Sequence, residues 1–210
     1  MFYNYHLIII NLLLFIILIS NNLQLIFAVK QSNPNEINGC LIRNRLYSNE
    51  YLFTSNEIWR QYLRRNVYTL PLSEVDQLNK ITWSLIPIHK ENDTILIKSN
   101  KFNEYLCGYD KNPDMTNGIR PTLVKFNLAL IPLYDRCAWQ LRKVKSNYNN
   151  PSSYLIWNVK YKQPLYSASF LFKESLQKRN IFLWPKPIKS ISKLSDEFFW
   201  TIDFITNNNY

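Results

Sequence analysis

The sequence predicts an all-β chain made of three tandem copies of one four-strand unit, and three observations predict it. First, the chain repeats itself: Trp83, Trp139 and Trp200 fall 56 and 61 positions apart, while Leu52, Leu106 and Leu165 fall 54 and 59 apart. Two landmarks that drift by the same five residues point to one unit repeated, with a single insertion lengthening a loop of the third copy. Second, each copy holds four short apolar or alternating runs bounded by Asn, Ser, Asp, Lys or Pro, which is the pattern of strands joined by turns. Third, aromatic residues make up 15% of the chain, which suits an ordered, strand-rich body rather than disorder. Helical apolar spacing rarely persists beyond two turns and Pro recurs throughout, so a helical turn is expected only within 168–178.

The elements follow in chain order. Leu7 to Ile19 is apolar but for Asn11, and after Ser20-Asn21-Asn22 a second short apolar stretch ends at Ala28. Residues 1–28 therefore read as a signal peptide, although no Lys or Arg precedes Lys30; the alternative is a signal anchor over the same stretch. Residues 29–38 form a short extension, and the copies occupy about 39–92, 93–150 and 151–205 before a polar tail at 206–210. The first copy reads Leu41-Ile42-Arg43-Asn44, Tyr51-Leu52-Phe53, Arg65-Asn66-Val67-Tyr68 and Ile81-Thr82-Trp83-Ser84-Leu85. The second reads Leu96-Ile97-Lys98-Ser99, Tyr105-Leu106-Cys107, a degenerate run from Val124 to Leu130, and Cys137-Ala138-Trp139-Gln140-Leu141. The third reads Leu155-Ile156-Trp157-Asn158, Pro164-Leu165-Tyr166, Arg179-Asn180-Ile181-Phe182 and Phe199-Trp200-Thr201-Ile202.

One copy alone cannot bury its apolar face. Twelve strands closing about a threefold axis do, and they leave no open sheet edge, so the predicted fold is a β-trefoil. The tryptophan of each fourth strand shares a strand face with the aliphatic residue two positions later, which makes it a core residue. Glycine occurs only at 39, 108 and 118, so this Asn-rich chain is expected to place Asn at tight turns with positive φ.

These phrases carry a family resemblance: the openings Ile42-Arg43-Asn44 and Ile97-Lys98-Ser99, Glu50-Tyr51-Leu52 and Glu104-Tyr105-Leu106, Arg65-Asn66-Val67-Tyr68-Thr69, and a closing Trp-x-Leu/Ile. Over about 39–205 the chain resembles the secreted β-trefoil proteins of arthropods. It is more distantly similar to the trefoil half of insect haemolymph lipoproteins and to ricin-B-like lectins. That resemblance implies the fold and export, while trefoils as a class host lectins, inhibitors, cytokines and toxins. The lectin Gln-x-Trp is absent: its Gln position holds Ile81, Cys137 and Phe198.

The chemistry to be found is sparse. Beyond residue 28 the sole histidine is His89, no cysteine pair has zinc-knuckle spacing, and the scattered glycines form no phosphate-cradling loop. No metal, cofactor or catalytic residue is expected, and the chain reads as a non-enzyme. Among Cys40, Cys107 and Cys137 one pair can close in an oxidising compartment; Cys107 with Cys137 is preferred because both fall in one repeat, with the other pairings open. Asn92-Asp93-Thr94 is an N-glycosylation acceptor in a turn-like run.

Charge is the remaining signal: 25 basic against 15 acidic residues, net +10. A basic protein outside the cell attracts polyanions. The candidate ligand-binding residues are Arg142, Lys143 and Lys145, just past the Trp139 strand, with Arg136 beside it. The expected function is that of a secreted, monomeric binding protein taking an extracellular protein, glycan or polyanion through its loops, without specific nucleic-acid binding or membrane attachment once the signal is cleaved. The alternatives are a trefoil-type protease inhibitor using the loop His89 to Asp93, and an abundant storage or structural protein.

Overall fold

The computed structural model describes residues 37–59, 64–89, 93–109, 119–125, 134–144, 152–173, 178–186, 188 and 190–205. The described residues form twelve strands: β1 (Ile37–Asn44), β2 (Glu50–Trp59), β3 (Arg64–Pro71), β4 (Thr82–His89), β5 (Thr94–Ser99), β6 (Glu104–Tyr109), β7 (Arg120–Val124), β8 (Ala138–Val144), β9 (Ser153–Asn158), β10 (Gln163–Lys173), β11 (Lys178–Leu183) and β12 (Trp200–Phe204). The helix α1 (Tyr134–Cys137) and short 3-10 turns connect them.

Six strands close a ring. β1 pairs β4, β4 pairs β5, β5 pairs β8, β8 pairs β9, β9 pairs β12, and β12 returns to β1, every pair antiparallel. The other six form the hairpins β2–β3, β6–β7 and β10–β11. Their inner strands meet one another, β3 with β7 and β11 with β3, and Ile119 bridges to Leu183 on β11. A six-stranded barrel under a triangle of three hairpins is a β-trefoil, and the fold is all-β.

The repeat landmarks become one contact made three times. Trp83, Trp139 and Trp200 are fully buried, and each indole Nε1 donates to the second-strand leucine carbonyl of its own unit: Leu52 at 2.9 Å, Leu106 at 2.8 Å and Leu165 at 3.0 Å. A buried indole N–H needs an acceptor, and the fixed Trp-to-Leu reach supplies it. The surrounding barrel core includes Ile42, Leu85, Ile97, Leu123, Ile156 and Ile181.

A second threefold contact lies two residues before each tryptophan. Ile81 clusters with Phe53 in the first unit, and Phe198 stacks on Tyr166 at 5.3 Å in the third. In the second unit Cys137 is bonded to Cys107. The disulfide thus replaces an apolar staple, and residues that would carry Gln in a ricin-type lectin serve here to fasten the hairpin to the barrel. Closing a loop of 30 positions stabilises by about 3–4 kcal/mol in the chain-entropy account. Cys40 is a free, fully buried thiol whose pKa is pushed up to about 12 by burial and then by Asp203.

Three expectations need correction. The second unit's third strand is β7 at Arg120–Val124, ahead of the expected run from Val124 to Leu130. Pro121 and Thr122 disguise it, because they replace the apolar alternation that marks the other two third strands. Of the helical turn expected within 168–178, residues through Lys173 are strand instead, kept in register with β11 by bulges after Ser167 and Leu171, and 174–177 lie outside the described residues. The five-residue drift is not one insertion either. Trp-to-Leu separations within the units rise as 31, 33 and 35, and the Trp139 to Leu165 span is three longer than Trp83 to Leu106. Among the described residues positive φ falls on Asn103, as expected of Asn, and also on Asp93, Lys162 and Gly39.

Candidate functional site: the basic edge between the second and third units

β8 and β9 run antiparallel, with Gln140 opposite Trp157 and Lys143 opposite Tyr154. Strand alternation puts Gln140, Arg142 and Trp157 on the outer barrel face and sends Lys143 to the other face. The Arg142 guanidinium lies over the Trp157 ring at 4.1 Å and donates to Gln140 Oε1 at 2.9 Å. Partial burial lowers its pKa, yet arginine remains charged at any physiological pH. The candidate pair therefore straddles the strand instead of sharing a face: Arg142 is held flat and oriented, while Lys143 is exposed beyond the barrel end.

Arg136 enters from α1, half-buried. Its carbonyl accepts from Asn158 Nδ2 at 2.8 Å, and Val159 N donates to the Ala138 carbonyl at 3.0 Å. Asn158 also shapes the turn that follows, taking Tyr161 N on Oδ1 at 3.1 Å and Lys162 N on its carbonyl at 3.0 Å. The turn so built displays exposed Lys160 and Lys162, the latter at φ 52. Along the chain these two lysines stand only as a separate charge run. What joins them to Arg136 is Asn158, a hydrogen bond across 22 positions that no local pattern shows.

Arg142, Lys143, Lys160 and Lys162 make no ion pair with a described carboxylate, whereas Arg43, Arg45, Arg65, Lys80, Lys178 and Arg179 each have one. Asp135, next to Arg136 on α1, is an exposed acid at this edge. Lys145 and Asn92 lie outside the described residues, as do 1–36, 206–210 and the loop 90–92; Asp93 and Thr94 lead into β5. Among the described residues no group of three His, Cys, Asp or Glu is placed to hold a metal ion, and no helix is long and apolar enough to cross a membrane.

No family model matches the sequence, and no curated protein matches it. Solved structures do. An SDF2-like protein from Arabidopsis thaliana superposes with a TM-score of 0.61 at 9% identity, covering 80% of this chain and 93% of that one. A salivary protein from Culex quinquefasciatus of the Cysteine and Tryptophan-Rich family gives 0.54 at 19% identity, covering 80% and 94%. ThreeFoil, a designed threefold-symmetric protein, gives 0.56 at 11% identity, covering 80% and 99%. At such identities the likeness establishes the trefoil fold, and function has to be argued from the residues.

Proposed function

We propose that this chain is a secreted, non-enzymatic binding module that takes a sulfated glycan or a similar polyanion on the edge formed by β8, β9 and the turn after Asn158. The observation that carries the reading is the set of four cations, Arg142, Lys143, Lys160 and Lys162, without described carboxylate partners around one hydrogen-bonded turn, with Arg136 behind it. Cations without a carboxylate partner, held on a rigid strand and turn, attract anions without reorganisation. Arg142 over Trp157 is oriented in advance, so less side-chain entropy is lost when it is engaged. The net charge of +10 draws the polyanion in, the disulfide suits an oxidising compartment, and the N-terminal apolar stretch supplies export.

A heparin column separates a local site from diffuse charge. The variant Arg142→Ala/Lys143→Ala/Lys160→Ala should elute at clearly lower salt than the parent. The charge-matched control Lys101→Ala/Lys186→Ala/Lys193→Ala should elute near the parent. Equal shifts in both variants would mean that the charge acts diffusely and that this edge is no site.

A further inference from the structure

The first unit carries a cleft beside the place where the third unit packs a tryptophan. Leu70, Val124 and Trp184 occupy equivalent places, opposite Tyr51, Tyr105 and Pro164 on the second strands. In the third unit Trp184 packs edge-on against both Tyr166 and Phe198, at 5.2 Å in each case. In the first, the shorter Leu70 leaves an open cleft of about 250 Å³ between β2, the β3–β4 connection and Lys178 of β11. Small-ligand clefts usually run about 300–1,000 Å³, so its occupant is small.

Phe53 and Leu70 give the cleft an apolar wall. Lys80 is buried, its side chain 4% exposed, and its ammonium makes one described hydrogen bond, to Asp76 Oδ2 at 2.6 Å. An ammonium has three donors, and buried donors are rarely left unused. Lys178 also lines the cleft, its ammonium 3.4 Å from Glu57. The opposite rim carries Glu74, exposed and in no ion pair among the described residues. The hydrogen bond from Lys80 holds the Asp76 carboxyl below its usual pKa, so the rim stays charged into mild acid.

We infer that this cleft is a binding site for a small zwitterion with an apolar body, of the class of a free aliphatic or aromatic amino acid. Its carboxylate would take the spare donors of Lys80 and Lys178, its ammonium would face Glu74, and its side chain would rest on Phe53 and Leu70. A ligand with only an anionic or only a cationic group would leave one sign of the cleft unanswered. This site is independent of the polyanion edge, which lies on other strands.

The purified chain is titrated by backbone-amide NMR with L-leucine and L-phenylalanine, and with isopentylamine and 4-methylpentanoate as single-charge analogues. Saturable shifts at Ser55, Leu70 and Lys80 are expected with an amino acid, with affinity at least tenfold weaker for either analogue. Leu70→Trp, which copies the third unit, should remove them while leaving the fold intact, and Glu74→Gln should weaken binding several-fold. The inference is overturned if neither amino acid gives saturable shifts, if an analogue binds as well, or if Leu70→Trp binds unchanged.

Discussion

Two of the seams between units are built alike and the third is not. Where the third unit meets the first, Arg179 spans to Glu50 with bonds of 3.0–3.2 Å, donates to the Ala168 and Ser169 carbonyls, and lies over Tyr47 at 3.6 Å. Where the first meets the second, Arg65 repeats every part: Glu104 at 2.9 Å, the carbonyls of Ser55 and Asn56, and Phe102 at 3.5 Å. At the junction of the second and third, the arginine's place holds Ile119, which bridges Leu183 as Arg65 pairs Leu123 and Arg179 pairs Thr69. The glutamate's place holds Gln163, and the ring is Tyr161, lying against Gly108. One backbone arrangement accepts either a buried ion pair or an apolar contact. That interchange is expected where desolvation nearly cancels Coulomb attraction.

The largest break in that comparison is Arg179→Ala. It strands Glu50, whose side chain is 7% exposed, and should cost about 3–5 kcal/mol in denaturant unfolding. Installing the third seam's own residues, Arg179→Ile with Glu50→Gln, should instead stay within about 1 kcal/mol of the parent. A double variant as unstable as Arg179→Ala would show that the pair is specifically required. Next in size is Gly108→Ala. An added Cβ would lie 2.6 Å from the Tyr161 ring and 3.0 Å from Leu183, so thermal unfolding should report a loss of about 1–3 kcal/mol. Smallest is Gln163→Leu. Gln163 Oε1 is buried with no hydrogen bond among the described residues, and removing it should leave stability unchanged or raise it by about 1 kcal/mol. A clear loss would reveal a partner for that oxygen.

The seams also show what a sequence makes legible. The repeated phrases Arg65-Asn66-Val67-Tyr68 and Arg179-Asn180-Ile181-Phe182 are visible because they build two equal seams. β7 is hidden because the unlike seam abandons the phrase. The tryptophans are legible as core since their spacing is enforced by one hydrogen bond apiece, and Cys107 with Cys137 is legible because both belong to one staple. The basic edge is half legible: Arg136, Arg142 and Lys143 stand out in the chain, but their faces depend on the β8–β9 register, and Lys160 and Lys162 join through Asn158. The cleft leaves no local mark, because its lining is drawn from β2, β3, the β3–β4 connection and β11.

On the proposed reading an even scaffold carries its function where the units differ, above all at the edge between the second and third. The most direct measurement is the salt dependence of heparin binding by titration calorimetry. Removing one engaged cation should reduce the slope of log affinity against log salt by roughly one, an argument made for nucleic acids and carried here to a sulfated glycan. Arg142→Ala/Lys143→Ala/Lys160→Ala should flatten the slope by about two to three, while Lys101→Ala/Lys186→Ala/Lys193→Ala leaves it as in the parent. Equal flattening in both variants, or none in either, would contradict the account.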